Sequence, residues 1–218
     1  MEFAGNRPLN FHGLITPIKY FQHLFRRNMK EILKNNPWHD VTPGINTPEI
    51  VNGVIEIPMG SNAKYELDKE SGLLRLDRVL LSAVHYPANY GFIPQTIADD
   101  NDPLDILVIS SIEAEPLSII EAKVIGVMHM IDDSERDEKI ISVSINDMAV
   151  NYINTLAELP PHTMTELKRF LEDYKKLEHK HVEVNEFREK EFAFKIIEES
   201  LDRYNSKYGH ERNSYQGD

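Results

Sequence analysis

A chain of 218 residues, 41% hydrophobic and 28% charged, suits one sizeable globular domain with appendages, and no apolar run in it is long enough to cross a bilayer as a helix. Its formal net charge of −12 argues against a general nucleic-acid or anionic-membrane surface, because phosphate polyanions attract basic patches. The absence of cysteine excludes disulfides and thiolate metal sites and fits a reducing compartment, so a cytoplasmic location is expected.

Residues 1–48 read as an N-terminal extension. Apolar residues recur at helical spacing between Phe21 and Leu33 and predict one amphipathic helix. This basic, acid-poor stretch also has the character of an organelle-targeting leader, and Met29 could serve as an alternative start. A docked or frayed N-terminal helix is the reading adopted. A Pro/Gly/Asn-rich connector follows and ends near Pro48.

From residue 49 the pattern changes to short strands. Val51–Ile57, Ala63–Leu67, Leu73–Val79, Ile106–Ile109, Ile119–Met130 and Lys139–Val143 are β-rich, with a turn at Ser71-Gly72. Strands so closely spaced predict a small twisted sheet or barrel. Gly126 inside a strand marks a bulge or a close backbone approach. After Asn146 the chain becomes helical. In the run Met164–Leu177, residues Leu167, Phe170, Leu171, Tyr174 and Leu177 share one face, and a second helix is predicted from about Glu189 to Tyr204. Residues 49–206 are therefore expected to form the main folded domain, and 207–218 a polar, disordered tail.

The segment richest in chemistry is Asp100-Asn101-Asp102-Pro103-Leu104-Asp105, with Asp99 beside it. So many like charges next to apolar runs repel one another unless a divalent cation neutralises them. Carboxylate oxygens are hard ligands that suit Mg²⁺, Mn²⁺ or Ca²⁺. It is not an EF-hand, because Leu104 and Ile106 stand where a ligand and the turn glycine belong. A second acidic cluster runs from Asp132 to Lys139 between two strands. Alone it is a solvated hairpin tip. Joined with the first loop at one end of a barrel, it could hold two or more cations. Lys64, Glu66, Arg78 and Lys139 lie on or beside strands, and each taken alone is a surface charge. Tyr86, Tyr90 and Tyr174 taken alone are packing aromatics, and Lys175 a solvent lysine. Nucleophile-elbow, P-loop, HExxH and dinucleotide-binding patterns do not occur.

These residues in this order resemble the soluble family I inorganic pyrophosphatases. The family signature Asp-x-Asp-Pro-x-Asp stands at Asp100–Asp105, and five further blocks, at residues 54–58, 64–69 with 76–78, 86–91, 132–139 and 170–177, look like family blocks in family order. The resemblance covers about Pro37 to Tyr204. It implies an α+β, β-rich fold: an OB-like five-stranded β-barrel with helices packed outside. It implies a hydrolase that converts pyrophosphate to two phosphates by in-line attack of a metal-bridged water, using several Mg²⁺ ions, with Mn²⁺ or Zn²⁺ as substitutes. Asp100, Asp105, Asp137 and Asp132 would ligate metal, with Glu66 acting largely through water. Asp102 would be the base. Lys64, Arg78, Tyr90, Lys139, Tyr174 and Lys175 would hold phosphate oxygens, with Lys64, Arg78 and Tyr90 assisting the chemical step. Glu56, Tyr86 and Asp133 would stand one layer further out. The expected partners are pyrophosphate and phosphate, with neither nucleic acid nor membrane, in a homo-oligomer. The rivals are another Mg²⁺-dependent phosphohydrolase, which would need a nucleoside pocket, an OB-type nucleic-acid binder, which would need a basic groove, and a catalytically dead scaffold.

Overall fold

The computed structural model describes residues 36–132, 135–178 and 182–213. The helix expected between Phe21 and Leu33 and the residue Asp133 lie outside these. The elements in chain order are α1 (Pro37–Asp40), β1 (Ile50–Ile57), β2 (Ala63–Leu67), β3 (Leu74–Val79), β4 (Asn89–Phe92), β5 (Asp105–Ile109), β6 (Ile119–Asp132), β7 (Glu135–Ser144), α2 (Pro161–Asp173), β8 (Val182–Glu189) and α3 (Lys190–Asn213). Short 3-10 turns occur at Leu156–Glu158 and Lys176–Glu178.

Strands β1, β4, β5, β7 and β6 are neighbours in that order, and β6 pairs back onto β1, so five strands close into a ring. This is the architecture the resemblance implied. The β5–β7 pair is parallel, whereas β1–β4, β4–β5, β6–β7 and β1–β6 are antiparallel. Strand β6 is long because it serves several neighbours. Its first half, Ile119–Lys123, pairs with β1, and its second half, Gly126–Asp132, pairs with β8. The change of partner coincides with a register shift between Val124 and Gly126. A Cβ at Gly126 would lie 2.5 Å from Leu156 Cδ1 and 2.8 Å from the Arg188 carbonyl. The glycine thus permits both the bulge and the close approach expected of it. Strands β2 and β3 form a separate hairpin, turned at Gly72 with φ +72°.

Both faces of the ring strands are covered. In β7, Ile140 and Ile141 point oppositely, yet both are fully buried. Ile141 joins Leu107, Met128 and the α2 residues Leu167, Phe170 and Leu171. Ile140 joins Val51, Ile55, Ile106 and the α3 residues Ala193 and Ile197. Each large aliphatic or aromatic side chain removed from water in these layers contributes about 1.5–3 kcal/mol before conformational entropy is counted. A third cluster seats Trp38 against Val54, Phe92, Ile97 and Tyr204, and its indole N–H donates to the Thr96 carbonyl at 2.9 Å.

Four details depart from expectation. Strands β4 and β8 were not foreseen. Helix α2 starts at Pro161, whose missing N–H costs nothing in a first turn, and the chain leaves the α-helix after Asp173, so Leu177 is 57% exposed and not on the buried face. Helix α3 continues to Asn213, through the start of the segment read as a disordered tail.

Candidate active site

One end of the ring and the β2–β3 hairpin enclose a cavity of about 560 Å³. Glu56 reaches it from β1, Lys64 and Glu66 from β2, Tyr90 from β4, Asp105 from β5, Asp132 from β6, and Asp137 and Lys139 from β7. Asp100 and Asp102 come from the loop between β4 and β5, and Tyr174 and Lys175 from the turn after α2. Twelve of the fifteen residues singled out from the sequence therefore line one cavity. Tyr86 stands behind the wall, with its ring centroid 5.5 Å from that of Tyr90 and 4.6 Å from that of Phe170. Arg78 is set to one side, where its Nε donates to Glu178 at 2.7 Å, Asp77 takes another N–H group, and its Nη2 is buried without a partner among the described residues.

The aspartate loop is shaped by its own backbone. Thr96 Oγ1 donates to the Ile93 carbonyl and accepts from the Leu104 N–H at 2.9 Å, which pins the two ends of the loop together. The Ala98 N–H donates to the Asp102 carbonyl at 2.7 Å, and Asn101 takes φ +70°, a conformation that asparagine tolerates. The Asp102 N–H then donates to Asp100 Oδ1 at 2.9 Å, so adjacent carboxylates are aimed differently.

Charge is distributed unevenly in the cavity. Nine carboxylates line it (Glu56, Glu66, Asp68, Glu70, Asp100, Asp102, Asp105, Asp132 and Asp137) against five cationic side chains (Lys64, Lys69, Arg75, Lys139 and Lys175). The lysines stand among the acids. Lys139 is 4% exposed; it pairs with Asp105 and reaches both oxygens of Asp137 at 2.7 Å. Lys175 pairs with Asp132, Lys69 with Asp102, and Lys64 with Glu66 and, at 3.2 Å, with Asp77. Burial alone would make Lys139 easier to deprotonate, but Asp105 and Asp137 outweigh it and hold the ammonium firmly charged. Five cations do not balance nine acids. Burial, aided by Asp105 and Glu66, raises Glu56 to about 8, and burial with the neighbouring carboxylates also raises Asp100 and Asp137. Glu56 keeps one firm partner, the Leu67 N–H at 2.6 Å. Burial pushes the Tyr90 and Tyr174 hydroxyls up, so both stay neutral hydrogen-bond donors.

The donor set fits divalent cations of the hard class. Nine carboxylates against five cationic side chains leave the cavity short of positive charge, and among the described residues the buried Oδ1 of Asp132 has no hydrogen-bond partner. Among the described residues no three histidine or acidic side chains form a ready cage for one ion, because lysine ammonium groups sit between them. Sequence reasoning passed over Lys69, Asp68, Glu70 and Arg75. They belong to the β2–β3 hairpin tip, which folds over the aspartate loop, a convergence that no spacing rule encodes.

Comparison with known proteins agrees with this geometry. The family model described as inorganic pyrophosphatase matches residues 53–205. Soluble inorganic pyrophosphatase 2 of Chlamydomonas reinhardtii is 49% identical over 174 residues, covering 80% of this chain and 91% of the relative. The soluble inorganic pyrophosphatase of Oryza sativa subsp. indica is 48% identical over 203 residues, 93% of this chain and 94% of that one. The crystal structure of inorganic pyrophosphatase from Thermus thermophilus superposes with a TM-score of 0.75 at 38% identity, covering 78% of this chain and 99% of the other.

Proposed function

The chain belongs to the inorganic pyrophosphatase family and is an inorganic diphosphatase, and we propose that it hydrolyses pyrophosphate with divalent cations, Mg²⁺ first, by direct in-line attack of water on phosphorus. The observation that carries this is the cavity itself, which brings nine carboxylates and five cations to one end of the ring. Asp100, Asp105, Asp137 and Asp132 would hold the cations, and Glu66 would act through water. When bound, such ions supply countercharge to a polyanionic substrate and make water more acidic. Mn²⁺ and Zn²⁺ would substitute.

Asp102 takes the proton of the attacking water. Its carboxylate is 58% exposed at the cavity rim, open to solvent on one side and held by Lys69 on the other. Lys64, Lys139 and Lys175 act as point charges on the phosphate oxygens, and the neutral Tyr90 and Tyr174 hydroxyls donate to them. As the bridging P–O bond breaks, negative charge grows on the departing phosphate, and these groups stabilise it without reorganising. Arg78 joins them by exchanging Glu178 for a phosphate, to which its planar fork offers two donors. Glu56 holds the β2 backbone at Leu67, Tyr86 supports the Tyr90 ring, and Asp133 would serve the second acidic segment. Residues 49–206 would be the catalytic domain and 1–48 an extension, in a cytoplasmic homo-oligomer.

Phosphate release from pyrophosphate under Mg²⁺, with ATP as a control substrate, tests the proposal. Asp102→Asn should slow release by at least ~10²-fold, as removal of a general base does, while the fold persists. No release by folded, Mg²⁺-supplied parent protein would sink it. Equal hydrolysis of ATP would replace it with a broader phosphohydrolase.

A further inference from the structure

We propose that Arg203, on α3, is a positioning residue for the aspartate loop, so that the C-terminal helix sets how tightly that loop holds divalent cations. The inference rests on the cation-binding role just given to Asp100, Asp102 and Asp105.

Arg203 does not line the cavity. Its Nε donates to the Ile97 carbonyl at 2.7 Å and its Nη2 to Ser200 Oγ at 3.0 Å. The Ile97 N–H in turn donates to the carbonyl of Ser200, which is completely buried. Ile97 is thus gripped through both its backbone groups by one turn of α3. The next residue passes the constraint inward. The Ala98 N–H bonds the Asp102 carbonyl, the Asn101 N–H bonds the Ala98 carbonyl at 3.1 Å, and the Asp102 N–H bonds Asp100 Oδ1. Through the Ile97–Ala98 peptide group these bonds lead from Arg203 to the Asp102 backbone, and from its N–H to the Asp100 carboxylate.

The bland alternative is a surface arginine neutralised by Asp99, whose carboxylate stands 3.3 Å from Nη1. That pair is 37% and 56% exposed, and such pairs contribute little. The bonds to Ile97 and Ser200 are specific in a way an ion pair is not. Ile97 also packs with Tyr204, but beyond it an open groove of about 600 Å³ lies between Ala98, Asp99 and Asn101 on the loop and Asp202, Ser206 and Lys207 on α3, so packing does not extend along the loop. Only a guanidinium has the fixed fork that reaches a carbonyl and a hydroxyl together. Mg²⁺ demands near-ideal octahedral geometry, so a loop free to shift by a fraction of an ångström binds it less well.

The test compares the full-length parent with Arg203→Met, Arg203→Lys and Ser200→Ala. It uses amide hydrogen exchange resolved to the loop peptide and calorimetric titration with Mg²⁺ alone. Arg203→Met should speed exchange in the loop peptide while leaving β6 and β7 peptides at parental rates. It should also weaken Mg²⁺ binding by about tenfold, the lower end for loss of an outer partner of a metal ligand. Arg203→Lys should resemble Arg203→Met, and Ser200→Ala, which removes one contact and leaves the fork, should fall between. In turnover, the Mg²⁺ needed for half-activity should rise, while KM for pyrophosphate at saturating Mg²⁺ stays near the parental value. Parental loop exchange and Mg²⁺ affinity in both Arg203→Met and Ser200→Ala would overturn the inference, as would faster exchange throughout the ring, which marks a purely structural role. Failure of the parent to hydrolyse pyrophosphate would strike the proposed function instead, since exchange and calorimetry decide this one without turnover.

Discussion

Gly91 lies between Tyr90, which lines the cavity, and Phe92, which packs on Trp38, and its replacement by alanine should cost both stability and activity. A Cβ there would stand 1.9 Å from the Val54 carbonyl oxygen and 2.8 Å from Ile55 Cα, although its φ is ordinary. Bringing the first contact to 3.0 Å requires 1.1 Å of separation (3.0 − 1.9) between β1 and β4. The ladder there pairs Val54 with Phe92 and Ile55 with Gly91. Stretching bonds of about 2.9 Å by that much breaks them. Losing roughly two ladder bonds at ~0.5–1.5 kcal/mol each, with overpacking of ~1–3 kcal/mol, puts the cost at about 2–6 kcal/mol. At about 2–4 °C per kcal/mol for a chain of this size, Tm should fall by about 4–24 °C. Thermal unfolding followed by Trp38 fluorescence would read this, because the single tryptophan packs against Phe92. Pyrophosphate hydrolysis measured well below Tm should drop as Tyr90 shifts. Gly209→Ala is the control: its Cβ meets nothing closer than Asn205 Cβ at 3.8 Å, so in mid-helix it should raise stability by up to ~1 kcal/mol. A Gly91→Ala protein with parental Tm and activity would refute the reasoning.

Asp147 accepts from the Ser111 N–H, the Ala149 N–H and the Ser110 hydroxyl, which lower it to about 2. A group depressed on folding adds stability above its unfolded value of about 4 and loses it as pH falls towards 2. The urea midpoint of Asp147→Asn should therefore lie below the parent's at neutral pH, with the gap closing in acid, and a gap that widens in acid would contradict this. Glu56 has the opposite sign: raised from 4.5 to about 8, its ionisation removes stability as pH climbs through that interval. With divalent ions chelated, Glu56→Gln, which can still accept from the Leu67 N–H, should match the parent near pH 4 and exceed its Tm above pH 8, and a lower Tm there would contradict the assignment. Gly126→Ala overpacks against Leu156 by ~1–3 kcal/mol and Leu156→Ala empties the same spot at ~2–5 kcal/mol, so the double variant should be more stable than their sum; simple additivity would show that the two do not meet.

The parts of this molecule that obey a period were legible, and the parts made by convergence were not. Strands β1, β2, β3, β5, β6 and β7 announce themselves through β-branched runs and alternation. β4 escaped because its four residues are all buried and include a glycine, which leaves no polar beat to count. β8 carries a genuine alternation, Val182 and Val184 inward with Glu183 outward, but the beat breaks after Val184, where Asn185 and Glu186 are both exposed. In the site, the aspartate loop was visible because like charges so close together call for an explanation. Lys69 was not, since its contact with Asp102 depends on where the hairpin tip folds, and Arg78 was expected among the phosphate contacts although it bonds Glu178, a hundred residues away. The ring topology came from resemblance, because pairing between β1 and β6 leaves no trace in local pattern.

That last pairing also governs how the protein can be born. Ile50 meets Lys123 and Val54 meets Ile119, so β1 leaves the ribosome long before its second neighbour exists. At ~5–20 residues per second, roughly 70 residues of synthesis leave the edge from Ile50 to Val54 without its β6 partner for about 4–14 s. β4 arrives partway through that interval and covers one side, while the other waits for β6. During translation the growing polypeptide is therefore a sticky half-ring, and codon usage or chaperone supply between β1 and β6 should control the yield of folded enzyme more strongly than the same changes placed in α3.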